Sequence, residues 1–152
     1  MKHKFLTAAI LSAAGIATAA LALDAAATIK ARHDFFHSLG GAYKTVNDQL
    51  KSSTPDLTAV RAATAQIATL APQLPSQFPA GTGPEAGVKT GAKPEIWTNA
   101  ADFKTKADGL ATAAAALNKA AAGSDVAAIT AASKDLGTAC KNCHTTYRNQ
   151  DH

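Results

Sequence analysis

The only two cysteines of this 152-residue chain lie three apart near its carboxyl end, with a histidine directly after the second, in Cys140-Lys141-Asn142-Cys143-His144. Two thiols and an imidazole so close together admit few chemistries. A structural disulfide would close a loop with only two intervening residues and would remove little entropy from the unfolded chain. A thioredoxin-type redox pair shares the spacing but belongs beside a βαβ pattern, which is missing here. A tetrahedral zinc site needs three or four ligands, and no second Cys/His pair supplements these three. On a helix, at about 100° per residue, Cys140, Cys143 and His144 fall within an arc of roughly 100°. That face suits covalent attachment of haem c: the thiols add across the two vinyl groups at one porphyrin edge, and the adjacent neutral imidazole binds the iron.

Positioning such a face falls to helices, and the chain reads as all helix. It is rich in alanine, poor in aromatics, and has no alternating run of Val, Ile or Thr. Four segments carry apolar residues at a period near 3.5, the period of helices packed side by side. The first places Ile29, Phe36, Tyr43 and Leu50 seven apart, with Leu39 and Val46 between. The second runs from Leu57 through Val60, Ile67 and Leu70 to Leu74 after Thr54 as cap and Pro55 as first helical residue. The third is expected from Pro94, with Ile96, Phe103, Leu110 and Leu117 seven apart, Ala100, Ala107, Ala114 and Ala121 alongside, and Gly123 at its end. The fourth is expected from Ser124 through Val126, Ile129, Leu136, Ala139 and Cys143 to Tyr147. Between the second and third lies a long stretch, 71–94, holding five of the six prolines, which reads as a connection that no helix can occupy. Two helical hairpins joined by a crossover make an antiparallel four-helix bundle.

The amino end has a different chemistry. Lys2 and Lys4 precede an uncharged, mostly apolar run from Phe5 to Leu23 that contains the small-residue site Ala20-Leu21-Ala22. This reads as a secretory signal peptide over 1–22, leaving a domain over 23–152, rather than as a membrane anchor. Export then places the domain in an oxidising, periplasmic compartment with no membrane span after cleavage. Losing Lys2 and Lys4 from a formal +4 leaves +2, too little charge to mark nucleic acid or a membrane as partner. Losing Met1, the one methionine, leaves the mature chain without a thioether.

A CxxCH in the last helix of an exported four-helix bundle resembles the class II c-type cytochromes, the cytochrome c′ and cytochrome c-556 group, and most of all the cytochrome c′ branch. Other stretches share the likeness: Pro94-Glu95-Ile96-Trp97 with Phe103, the run Cys143-His144-Thr145-Thr146-Tyr147-Arg148, and an opening helix with Arg32, Phe36 and Leu39-Gly40. The resemblance implies one haem c per chain, attached through Cys140 and Cys143 and ligated by His144. It also implies that Phe36 is the residue facing the opposite side of the haem, where c-556-like members carry methionine and c′-like members an apolar residue that cannot coordinate. Arg32 would then meet a haem propionate, and Arg148 would lie near the proximal ligand.

Phe36 with no methionine favours a five-coordinate iron that serves electron transfer and binds small gases, NO and CO. The alternative is a six-coordinate, bis-His electron carrier, which would need His33, expected at the margin of the first helix's seam, or His37, expected on its solvent side. Tyr147 and Trp97 read as core, and the Gly40-Gly41 pair as a site of close helix approach or of packing over the ring edge. No acid/base pair or nucleophile array accompanies the motif, so the chain reads as a carrier or binder and not an enzyme. Its expected partners are redox proteins and diatomic gases, and the resemblance makes a homodimer through the first two helices an open expectation.

Overall fold

The computed structural model describes residues 13–149, with side chains from Asp24 onward. Lys2, Lys4 and the first part of the expected signal peptide lie outside the described residues. Five helices follow in order: α1 (Ala13–Lys51), α2 (Leu57–Leu70), the single turn α3 (Glu95–Thr98), α4 (Ala100–Ala122) and α5 (Val126–Tyr147). α1 packs on α2, α4 on α5, and α2 on α4, so the two hairpins lie side by side as a four-helix bundle. None of the helices among the described residues is long and apolar enough to cross a membrane.

The seams expected from the spacing form the core. Ile29, Leu39 and Val46 of α1, Val60 and Ile67 of α2, Phe103, Leu110 and Leu117 of α4, and Ile129 and Leu136 of α5 are buried. Each such side chain contributes about 1.5–3 kcal/mol by leaving water. Alanines 107, 114 and 121 are buried beside them, which lets α4 lie close to its neighbours, whereas Ala100 is exposed at the start of that helix. Phe36, Tyr43 and Leu50 are half-buried and pack on the same core.

Helix starts differ from the sequence expectation, for a common reason. α2 is capped by Asp56, whose carboxylate accepts from the Thr58 and Ala59 amides, and not by Thr54. α5 is capped by Asp125, which accepts from the Ala127 and Ala128 amides, and not by Ser124. A carboxylate both accepts the free amides and complements the positive helix end, so the acidic residue nearest the first turn wins. The third segment is interrupted: Asn99, at φ −120° and ψ 48°, separates α3 from α4.

The 71–94 stretch is also more ordered than expected. It contains two 3₁₀ helices, Ala71–Gln77 and Pro84–Ala86, so short helix does occupy it. Pro72 and Pro84 sit in the first turn of these helices, where amides have no intrahelical acceptor, while Pro75 lies inside the first one. Its far end is tied to the last helix: Lys93 N–H donates to Tyr147 O at 3.0 Å, Asn149 N–H to Gly91 O at 2.9 Å, and Ala92 forms an antiparallel bridge with Arg148.

Close helix approach falls at a different glycine from the expected pair. A Cβ at Gly40 or Gly41 would meet no atom of another element within 4 Å, so neither marks helix contact. At Gly137 a Cβ would lie 2.5 Å from the Tyr43 hydroxyl, and this is where α1 and α5 come together.

Candidate functional site

Cys140 and Cys143 are free thiols on one face of α5, half-buried and packed against the core. Burial pushes both thiols above their ordinary range; at Cys143 the neighbouring Cys140 adds to the rise and Lys106 opposes it. His144 follows on the same face and is exposed. Enough protein surrounds the ring that desolvation, with the Arg148 cation second, holds it below the usual imidazole range. The neutral form, with a nitrogen lone pair available to iron, is therefore favoured at neutral pH. Among the described residues no group of three or more His, Cys, Asp or Glu side chains is placed to hold a metal ion.

α5 is locked in rotation by Tyr147, three residues beyond this motif. Tyr147 is buried, its ring stands edge-on to Phe103 at 5.2 Å, and its hydroxyl donates to Asp102 Oδ2 at 2.6 Å. Burial and that carboxylate push the phenol up to about 12. Arg148 does not continue the helical face as its spacing suggests. It adopts φ −118° and ψ 134°, leaves α5, and pairs with Ala92, while its cation still bears on His144.

Phe36 lies half-buried on α1 within a ladder of rings. Phe35 stands at 5.3 Å and Phe78 at 6.0 Å from it, Phe78 meets Phe103 at 5.1 Å and Trp97 at 6.2 Å, and Phe103 leads to Tyr147. His33 and His37, on either side of Phe36, are both exposed, as their positions outside the seam imply. Trp97 is half-buried and donates Nε1–H to Phe78 O at 3.1 Å, so it serves the fold as expected.

Arg32, one turn before Phe36, is buried at 5% exposure and not a solvated helix arginine. Nη1 donates to Gln77 O and Thr82 Oγ1, and Nη2 to Thr82 O and Thr90 Oγ1, at 2.7–3.5 Å. All four acceptors are neutral, and no carboxylate among the described residues pairs with the cation. Burial accordingly pulls its pKa down. Of the five guanidinium donors, Nε–H is the one left for a further acceptor.

Sequence reasoning missed Phe78, Thr82 and Thr90, all in the long connection. Phe78 carried one signal, as the lone aromatic in a stretch of Pro, Gly and small polar residues. The threonines carried none, because their partner lies 50 and 58 residues earlier.

Two thiols and a neutral imidazole on one helix face are the donor set by which haem c is attached and ligated. The comparisons agree. Residues 27–148 match the Cytochrome C' family. A cytochrome c-556 from Agrobacterium fabrum is 39% identical over 149 residues, covering 97% of each chain. A cytochrome c' from Rhodospirillum rubrum is 36% identical over 151 residues, covering 97% of this chain and 99% of that one. Among solved structures, a nitric oxide complex of a mutant cytochrome c prime from Alcaligenes xylosoxidans aligns with a TM-score of 0.72 at 28% identity, over 81% of this chain and 94% of that one. A match spanning the bundle from α1 to the end of α5, in the fold and with the motif that this family uses to carry covalently attached haem c, makes the chain a member of the cytochrome c′ family.

Proposed function

We propose that the chain is an exported, periplasmic mono-haem cytochrome with five-coordinate iron, which exchanges single electrons with redox partner proteins and binds NO and CO. When bound, the haem supplies a one-electron couple and an open coordination position for a diatomic ligand. Cys140 and Cys143 would hold it covalently, and His144, kept neutral by partial desolvation and by Arg148, would supply a nitrogen to its iron. Arg32 offers Nε–H and an uncompensated charge to a propionate.

The observation that carries the five-coordinate reading is Phe36: the α1 position matching the c-556 methionine holds a ring with no lone pair, half-buried among other rings. Its exposed neighbours His33 and His37 weigh against the bis-His alternative, since either would need α1 to rotate away from a seam in which Leu39 and Val46 are buried. An aromatic wall gives anionic ligands no donor to replace lost hydration, which favours neutral diatomics. The nitric oxide complex in a structural neighbour supports the same choice. A homodimer through α1 and α2 belongs to the same reading, in line with the ligand-controlled dimer of a solved cytochrome c′ neighbour.

Optical spectra of the oxidised, reduced and gas-treated holoprotein test this reading. High-spin five-coordinate ferrous iron that shifts on adding CO or NO is expected. A low-spin six-coordinate ferrous spectrum would overturn it and turn attention to His33 and His37.

A further inference from the structure

We propose that Arg32 is the positioning residue of the distal wall: it clamps the 77–90 loop onto α1 and so seats Phe78 against Phe36, making Phe78 the support that limits access past Phe36. The inference rests on the reading of Phe36 as the distal residue.

One guanidinium gathers three separated points of the loop, Gln77, Thr82 and Thr90. Thr82 is itself buried, and its hydroxyl passes the contact on by donating to Pro79 O at 2.8 Å. The same guanidinium lies over the Phe78 ring, 4.7 Å from its centroid, in cation–π contact. Trp97 fixes the backbone beneath through Phe78 O and Pro79 O at 3.1 and 3.2 Å. Held from above and below, the Phe78 ring rests on Phe36 on one side and Phe103 on the other. The ring that supports Phe36 from outside α1 therefore belongs to a loop whose order depends on Arg32. Freed from the clamp, the loop lifts, Phe78 withdraws, and Phe36 gains room to swing aside for an entering ligand.

The test uses the haem-loaded protein and two readouts, amide hydrogen exchange over residues 78–92 and the CO association rate of the ferrous form. Arg32→Met should raise exchange in that loop about tenfold or more, because the cation's bonds to three loop points are lost together. It should speed CO association about threefold to tenfold, and Phe78→Ala should match it in rate because both remove the same support. Thr82→Val, which retains the guanidinium and the Thr82 carbonyl position, should fall between wild type and Arg32→Met in both readouts. Should Arg32→Met fail to accumulate, Thr82→Val and Phe78→Ala decide the matter. Loop exchange unchanged in Thr82→Val and Arg32→Met would overturn the clamp. A loosened loop with wild-type CO association in both Arg32→Met and Phe78→Ala would overturn the link to Phe36. A six-coordinate wild-type spectrum would instead refute the five-coordinate reading, and the exchange measurement would still decide the clamp.

Discussion

Gly137 sits one turn before Cys140, where α5 meets α1, and the contact it permits sets how the cysteine-bearing face lies relative to the helix of Phe36. The Tyr43 hydroxyl reaches across this gap and donates to Ser133 O at 3.0 Å, while Ser133 Oγ donates to Asn47 Oδ1 at 3.2 Å. A methyl group at 137 would lie 2.5 Å from Tyr43 Oη and 3.5 Å from Cζ. The second distance is ordinary contact; the first forces the phenol to move. Overpacking of this kind costs about 1–3 kcal/mol. Displacing the hydroxyl sacrifices a hydrogen bond worth about 1 kcal/mol. Alanine returns about 0.8–1 kcal/mol of helix propensity. Gly137→Ala should therefore destabilise the holoprotein by about 1–3 kcal/mol, read as a lower urea midpoint at unchanged slope. Tyr43→Phe removes the clashing oxygen as well as its hydrogen bond and should cost about 1 kcal/mol alone. In that background Gly137→Ala should be neutral or stabilising, giving a coupling of at least about 1 kcal/mol in the double-mutant cycle. A Gly137→Ala protein as stable as wild type, or one equally destabilised with and without the Tyr43 hydroxyl, would refute the close-approach account.

Phe36→Met should place a thioether at this α1 position, convert the ferrous spectrum to low-spin six-coordinate, and slow CO binding; an unchanged spectrum would count against Phe36 facing the iron. Tyr147 gives a pH dependence whose sign follows from its raised folded value, about 12 against an ordinary 10.0. The folded state retains that proton more tightly, so its stability contribution is intact below pH 10 and declines as pH rises from 10 through 12. Stability measured across this window should flatten in Tyr147→Phe, which also loses the bond to Asp102. Asp56→Ala removes the cap that serves two amides of α2 and should cost about 1 kcal/mol in thermal or urea unfolding, with Asp56→Asn recovering most of it.

What the sequence determined by itself was the periodic and the contiguous. Heptad spacing placed Ile29, Val46, Phe103, Leu110, Leu117, Ile129 and Leu136 in the core, because a 3.6-residue helix carries such positions onto one face whatever its neighbours are. The CxxCH spacing likewise put two thiols and an imidazole on a single arc of α5, since local helix geometry alone fixes it. Tertiary structure decided what depends on distance through space. Arg32 became buried because a loop far along the chain folds back to supply its acceptors, and Phe78 gained a place beside Phe36 by the same folding. Gly137 displaced Gly40 and Gly41 as the point of close approach because the crowding group comes from another helix, and Arg148 left its helical face because the chain near Ala92 offered it a backbone partner. Periodicity records which face of a helix turns inward, but a loop has no period, so its contacts exist only once the helices it joins have fixed its ends.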